Sequence, residues 1–172
     1  MRHALKIHPD CRCEAVESIE VEVGPRSGAQ LRLRYIATGR MSDVLVPAPA
    51  DPERADDLWQ STCFEVFAQQ TGAEGYDEFN FSPSTQWAVY RFNRYREGMS
   101  KPDVLAPRIE GRHGERRYEL LVAFDLPGGA PWRLGLAAVI EETNRRKSYW
   151  ALAHPPGRPD FHHADSFVLE IA

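Results

Sequence analysis

Residues 76–93 read YDEFNFSPSTQWAVYRFN, and their two-residue alternation suits strands, not a helix. In the first run Tyr76, Glu78, Asn80 and Ser82 share one face and Phe79 and Phe81 the other. The preceding stretch, CFEVFAQ, sorts Cys63, Glu65, Phe67 and Gln69 against Phe64, Val66 and Ala68 in the same way. The all-apolar sets are the expected core. Glu65, Glu78 and Asn80 then lie on the other face, with Phe67 and Tyr76 beside them. QWAVYRFN groups Trp87, Val89, Arg91 and Asn93 against Ala88, Tyr90 and Phe92. If the three strands are neighbours, one sheet surface carries Glu65, Glu78, Asn80, Trp87 and Arg91.

Period two continues along the chain. ESIEVEV and LRLRY alternate around the turn-rich GPRSGAQ and predict a hairpin whose exposed acids lie across from exposed arginines. VLVPAP reads as a short strand ended by prolines. ADPERADDLW is the best helix start, with Asp51 as N-cap and Pro52 in the first turn, for about two turns. A weak strand follows around Ile109, then RRYELLVAFD, a PGG turn, WRLGLAAVIEET, KSYWALA and ADSFVLEI. Ten or eleven short strands with one brief helix argue for an antiparallel β-sandwich, jelly-roll or immunoglobulin-like, spanning 1–172 as one domain. There is no internal repeat or low-complexity tract.

Composition narrows the function classes. The net charge of −4 and the dispersed arginines give no electrostatic footprint for nucleic acid. No apolar run is long enough for a membrane-spanning helix, and the N-terminus lacks signal-peptide character, so the chain reads as cytoplasmic. Three cysteines do not make a disulfide framework; Cys11 and Cys13 are expected as free thiols and Cys63 as a small core residue. No phosphate loop, dinucleotide fingerprint or nucleophile elbow is present.

The polar strand face has two readings. It is either a solvated surface with cross-strand Glu–Arg pairs or a ligand platform, an indole flanked by carboxylate, amide and guanidinium groups as sugars require. HPPGRPDFHHAD adds His154, Asp160, His162, His163 and Asp165. In an extended segment His162 and His163 point to opposite sides, which favours hydrogen bonding over shared metal ligation.

The stretches from Leu58 to Met99 and from Tyr149 to Ile171 resemble the DOMON-like proteins, relatives of the family 9 carbohydrate-binding modules. Glu65 falls in the FEVF run, Glu78 and Asn80 in EFNFSP, and Trp87 and Tyr90 in the following WAxY. The resemblance implies a β-sandwich that binds a small ligand without catalysis, in the wider superfamily a sugar or a haem. The expected binding set is Glu65, Glu78, Asn80, Trp87, Arg91, Trp150, His154 and His162, with no catalytic residue, no metal and a sugar as partner. Two alternatives stand beside it. One is haem held by Met99 and a histidine; the other is a glycosidase using Glu65 and Glu78 as paired carboxyls.

Overall fold

The computed structural model describes residues 1–126 and 131–172. Its regular structure is eleven strands: β1 (Arg2–Ile7), β2 (Val16–Val23), β3 (Gln30–Gly39), β4 (Cys63–Gln70), β5 (Tyr76–Phe81), β6 (Trp87–Phe92), β7 (Arg108–His113), β8 (Arg117–Asp125), β9 (Trp132–Glu141), β10 (Lys147–Ala151) and β11 (Leu169–Ile171). Single 3-10 turns occur at Met41–Asp43, Leu58–Gln60 and Ala164–Ser166, and no α-helix is present among the described residues.

The strands form one antiparallel sheet in the order β6-β5-β4-β9-β10-β1-β2-β3-β8-β7. Strand β9 also takes β11 along its first residues, where Leu134 opposes Leu169. Strand β1 joins the two halves: Arg2–Leu5 pair with β2, while Lys6 and Ile7 pair with β10. The sheet curls until its halves face each other. Phe79 and Phe81 of β5 meet Phe124 of β8 at 4.7 and 5.2 Å, and Phe64 of β4 meets Tyr35 of β3 at 5.0 Å. Tyr35 donates its hydroxyl to the Glu65 carbonyl at 2.8 Å, so this buried polar tip is satisfied by backbone.

The alternation holds where it was strongest. Phe64, Val66, Ala68, Phe79 and Phe81 enter the large core, together with Ile19, Val21, Leu31, Leu33 and Tyr35 of the β2–β3 hairpin. Glu22 opposes Arg34 across that hairpin, as its charge pattern requires.

Three local expectations fail. The helix from Asp51 does not form. Trp87 donates its N–H to the Glu53 carbonyl and accepts from the Ala55 N–H, so this segment runs beside β6 and gives its backbone bonds to the sheet. VLVPAP contributes only a bridge from Val44 to Glu142, because the prolines after it cannot supply a ladder. ADSFVLEI is a strand only over its last part, after the 3-10 turn. Strand β1 is an addition, its pattern carrying too few apolar residues to stand out. The PGG turn at 127–129 lies outside the described residues.

The outer face of the β4–β5–β9 half is covered. A second apolar cluster joins Phe67, Tyr76, Ala137, Val139 and Ala151 to Phe161 and Phe167 of the C-terminal segment. Phe167 stacks on Phe67 with centroids 6.0 Å apart and stands directly over Gly135, where an added Cβ would come within 2.9 Å of its ring. Glycine at 135 is therefore a requirement of the cover, not of the strand.

Candidate functional site

Register decides which side chains meet on the covered face. Glu65 opposes Asn80 on one side and Ala137 on the other; Asn80 opposes Ala88 and Ala137 opposes Ala151. This row carries alanine at three of its five places, so the sheet surface dips there. The next row runs Tyr90, Glu78, Phe67, Gly135. Strand β10 adds Tyr149, which opposes Val139. The dip becomes a cavity of about 790 Å³ because larger groups stand around it. Its aromatic walls are Trp59, Phe67, Tyr90, Phe92, Tyr149 and Phe161, and its rim carries Asp56, Asp57, Arg96, Met99, Lys101 and Arg158.

Glu65 and Glu78 belong to the wall of this cavity, each less than a tenth exposed. Asn80 lies behind them and donates to Glu78 Oε1 at 2.8 Å. His162 brings Nε2 to 3.6 Å from Glu78 Oε2, and its Nδ1 shares a hydrogen bond with the Tyr76 hydroxyl at 2.8 Å. Glu65 Oε1 is buried and has no hydrogen-bond partner in the structure.

Burial, with Glu78 alongside, holds the Glu65 carboxyl well above the usual carboxylate range. Glu78 is also raised by burial, against the opposing pull of Asn80 and Arg96. Burial and then Arg96 push the His162 imidazole down to about 4, so it is neutral at physiological pH. The Cys63 thiol, fully buried beneath both glutamates, is pushed up by burial and then by their charge.

Two loops close over the cavity and lock to each other. Tyr95 and Arg96 bind the Asp160 carboxylate from the β6–β7 loop, the arginine at 2.8 Å, and the Arg96 N–H donates to the Tyr76 hydroxyl. Asp160 in turn accepts from the His162 N–H, which sets the turn that aims the imidazole inward. His163 points away and caps the following turn by accepting from the Asp165 N–H. The two adjacent histidines thus diverge, as an extended reading required. Among the described residues no three His, Cys, Asp or Glu side chains are grouped to hold a metal ion.

The expected set is split by the structure. Glu65, Glu78, Asn80 and His162 come together. Trp87 and Arg91 do not join them: Trp87 opposes Phe81 and faces the main core at 7% exposure, with Arg54 over its ring, while Arg91 opposes Asp77 and pairs with it. The sequence put β6 in the wrong phase, since its more apolar face, Ala88, Tyr90 and Phe92, is the one turned to the cavity and not to the main core. Trp150 is likewise a core residue, bonded to Ser148, and its neighbour Tyr149 faces the cavity instead. His154 sits against His8 and Phe161 and bonds the Lys6 carbonyl, outside the cavity lining. Trp59, Arg96 and Arg158 were missed because they come from loops, where no periodicity marks a direction; the half-exposed tryptophan in DDLWQST was the one available signal.

The residues do not fit a haem. Met99 and His162 share the cavity, but both ring nitrogens of His162 face protein groups, and His154 is tied to β1.

No family model matches the chain, and no curated protein matches it. Three solved structures do share its fold. A "putative carbohydrate-binding protein" from Bacteroides uniformis is similar over 98% of this chain and 84% of its own, with TM-score 0.73 and 16% identity. A family 9 carbohydrate-binding module from Caldicellulosiruptor kristjanssonii, solved with cellotriose, is similar over 99% of this chain and 80% of its own, with TM-score 0.60 and 12% identity. A second such structure from that organism, with glucose, gives TM-score 0.50 at 10% identity, over 81% of this chain and 69% of its own. At these identities the likeness is one of fold.

Proposed function

We propose that this protein is a carbohydrate-binding module, a β-sandwich that holds a sugar in the Glu65–Glu78 cavity without acting on it. The observation that carries the reading is the composition of one cavity: aromatic walls around two carboxyls, with the Asn80 amide bonded to Glu78 behind them. Sugar rings present apolar C–H faces and hydroxyl edges, and such a site offers a surface to each. The bound sugars of the family 9 neighbours support the ligand class, and the DOMON-like motifs FEVF and EFNFSP supply the two glutamates. A cytoplasmic, single-domain protein remains part of the reading.

Trp59 provides the test because it lines the cavity yet is 47% exposed, so its loss should leave the fold intact. Calorimetric titration with glucose and cello-oligosaccharides is expected to show binding that weakens by about tenfold in Trp59→Ala, the order expected for one aromatic contact. An absence of binding across a broad glycan panel overturns the proposal. Turnover of an aryl glycoside, lost in Glu78→Gln, would instead make the carboxyl pair hydrolytic.

A further inference from the structure

Among the described residues no arginine or lysine pairs with Glu65 or Glu78, unlike three aspartates near them. Asp77 is bound by Arg91, Asp160 by Arg96 and Asp56 by Lys101. Glu78 has only Asn80 and the neutral His162, and Glu65 Oε1 has no partner at 3% residue exposure. Arg96, the cation acting on Glu78, is committed to Asp160 at 2.8 Å. A buried carboxyl pair without a cation is costly, and a carboxyl of the cavity lining that the protein leaves without a hydrogen-bond donor marks a place where a donor from outside is wanted.

We propose that the cavity selects a protonated amine, and that its ligand is an amino sugar whose ammonium group is seated by Glu65 and Glu78. This rests on the carbohydrate reading above. A hydroxyl could donate to Glu65 but would bring no charge to two adjacent carboxyls; an ammonium brings three donors and a cation. Phe67, Tyr90 and Tyr149 present aromatic surface around the same floor, which favours a cation as well as a ring.

Seating the amine has a proton consequence. The groups facing Glu65 are Glu78 from β5, Cys63 on its own strand and Tyr149 from β10, with Tyr35 bonded behind it to the backbone. Glu78 is faced by His162, Arg96, Tyr76 and Tyr90. None of these gives Glu65 a counter-charge. An arriving ammonium therefore favours the fully ionised pair, and the proton that the pair gives up passes to solvent.

The test is calorimetric titration of D-glucosamine, D-glucose, N-acetyl-D-glucosamine and cyclohexylammonium at pH 5.5 and 7.5, in two buffers of different ionisation enthalpy. Glucosamine is expected to bind about tenfold or more tightly than the two uncharged sugars, the order for a charge-assisted hydrogen bond. Its affinity should fall at the lower pH, where the carboxyl pair is more protonated, and at pH 5.5, where the amine is already protonated, binding should release protons. Glu65→Gln and Glu78→Gln, each checked for cooperative unfolding, are expected to lower glucosamine affinity by more than glucose affinity and so to erase the preference. Glucose or N-acetylglucosamine binding as tightly as glucosamine overturns the inference and leaves the carbohydrate reading standing. So does a glucosamine preference that survives in both variants. Cyclohexylammonium binding without any sugar keeps the amine site and removes the carbohydrate reading; silence from all four ligands removes both.

Discussion

Glu22 on β2 and Glu65 on β4 sit in nearly the same local sequence, VEV and FEV, each on a strand whose alternate residues enter the one core. Their surroundings differ completely. Glu22 lies on the open face of the β2–β3–β8 half, bound by Arg2 and Arg34, with Arg34 also reaching Glu119 and Arg117 beyond it. Arg2 lowers the Glu22 carboxyl and holds it ionised. Glu65 lies on the covered face of the β4–β5–β9 half, raised by burial and without a cation. A concavity of about 980 Å³ exists on the first half too, larger than the other, but Arg2, Glu22 and Arg34 in its lining already satisfy one another. Size does not make the better candidate site. What does is a polar group that the protein itself leaves unanswered.

The cover is what separates the halves, so removing it is the largest way to break the contrast. Phe167 is 1% exposed and packs on Phe67, Tyr76 and Gly135. Phe167→Ala is expected to cost about 3–5 kcal/mol in denaturant unfolding, the range for a buried phenylalanine. It should also turn the β4–β5–β9 face into a wet one. A loss under about 1 kcal/mol would mean that the cover is a loose flap, no firmer than a surface side chain.

Titration gives a smaller and more specific break. His162 is held near 4 in the fold and lies near 6.5 when unfolded, so between those values the unfolded chain binds a proton that the native one refuses. Stability is therefore lost as pH falls from about 6.5 to 4, by up to about 3 kcal/mol from this residue. Glu65 and Glu78 act in the opposite sense. With native carboxyls raised by burial, their contribution is most favourable at low pH and is lost as pH rises above the ordinary carboxylate range. His162→Asn, with unfolding midpoints measured from pH 7 to 4, should flatten the acid-side loss. Equal slopes in the two proteins would show that the imidazole is not held neutral.

These contrasts were partly legible before any coordinates. Alternation placed Phe64, Val66, Phe79 and Phe81 in the core and gathered Glu65, Glu78 and Asn80 on the opposite face, because each of those strands has one wholly apolar side. It failed at Trp87 and Arg91 because the more apolar side of WAVYRF, Ala88, Tyr90 and Phe92, belongs to the covered face, and phase was set by pairing. The Ser82–Gln86 turn puts Trp87 opposite Phe81, and Phe81 was already a core residue. That the polar face was covered could not be read locally either. The cover comes from Phe161 and Phe167, about a hundred residues from β4, and from a glycine whose reason is the ring above it. Loop residues such as Trp59 and Arg158 reach the cavity through turns whose directions no repeat encodes.

The smallest expected effect lies on the other half of the comparison. Glu22→Gln removes the centre of the Arg2–Glu22–Arg34 ladder, yet water stands ready to solvate both guanidinium groups, and an exposed pair has already given up little to form. Its unfolding midpoint should stay close to that of the parent protein at physiological salt. Any difference seen at low ionic strength should vanish in about 1 M salt, where screening acts within a few ångströms. The same glutamate-to-glutamine change at Glu65 should respond in the reverse direction. Neutralising a buried carboxyl that has no cation removes a desolvation cost, so Glu65→Gln is expected to hold or raise stability at pH 8, with little dependence on salt. Finding the two variants alike in sign and in salt response would mean that both glutamates see the same solvent, and the distinction between a paired surface acid and an unanswered buried one would fall.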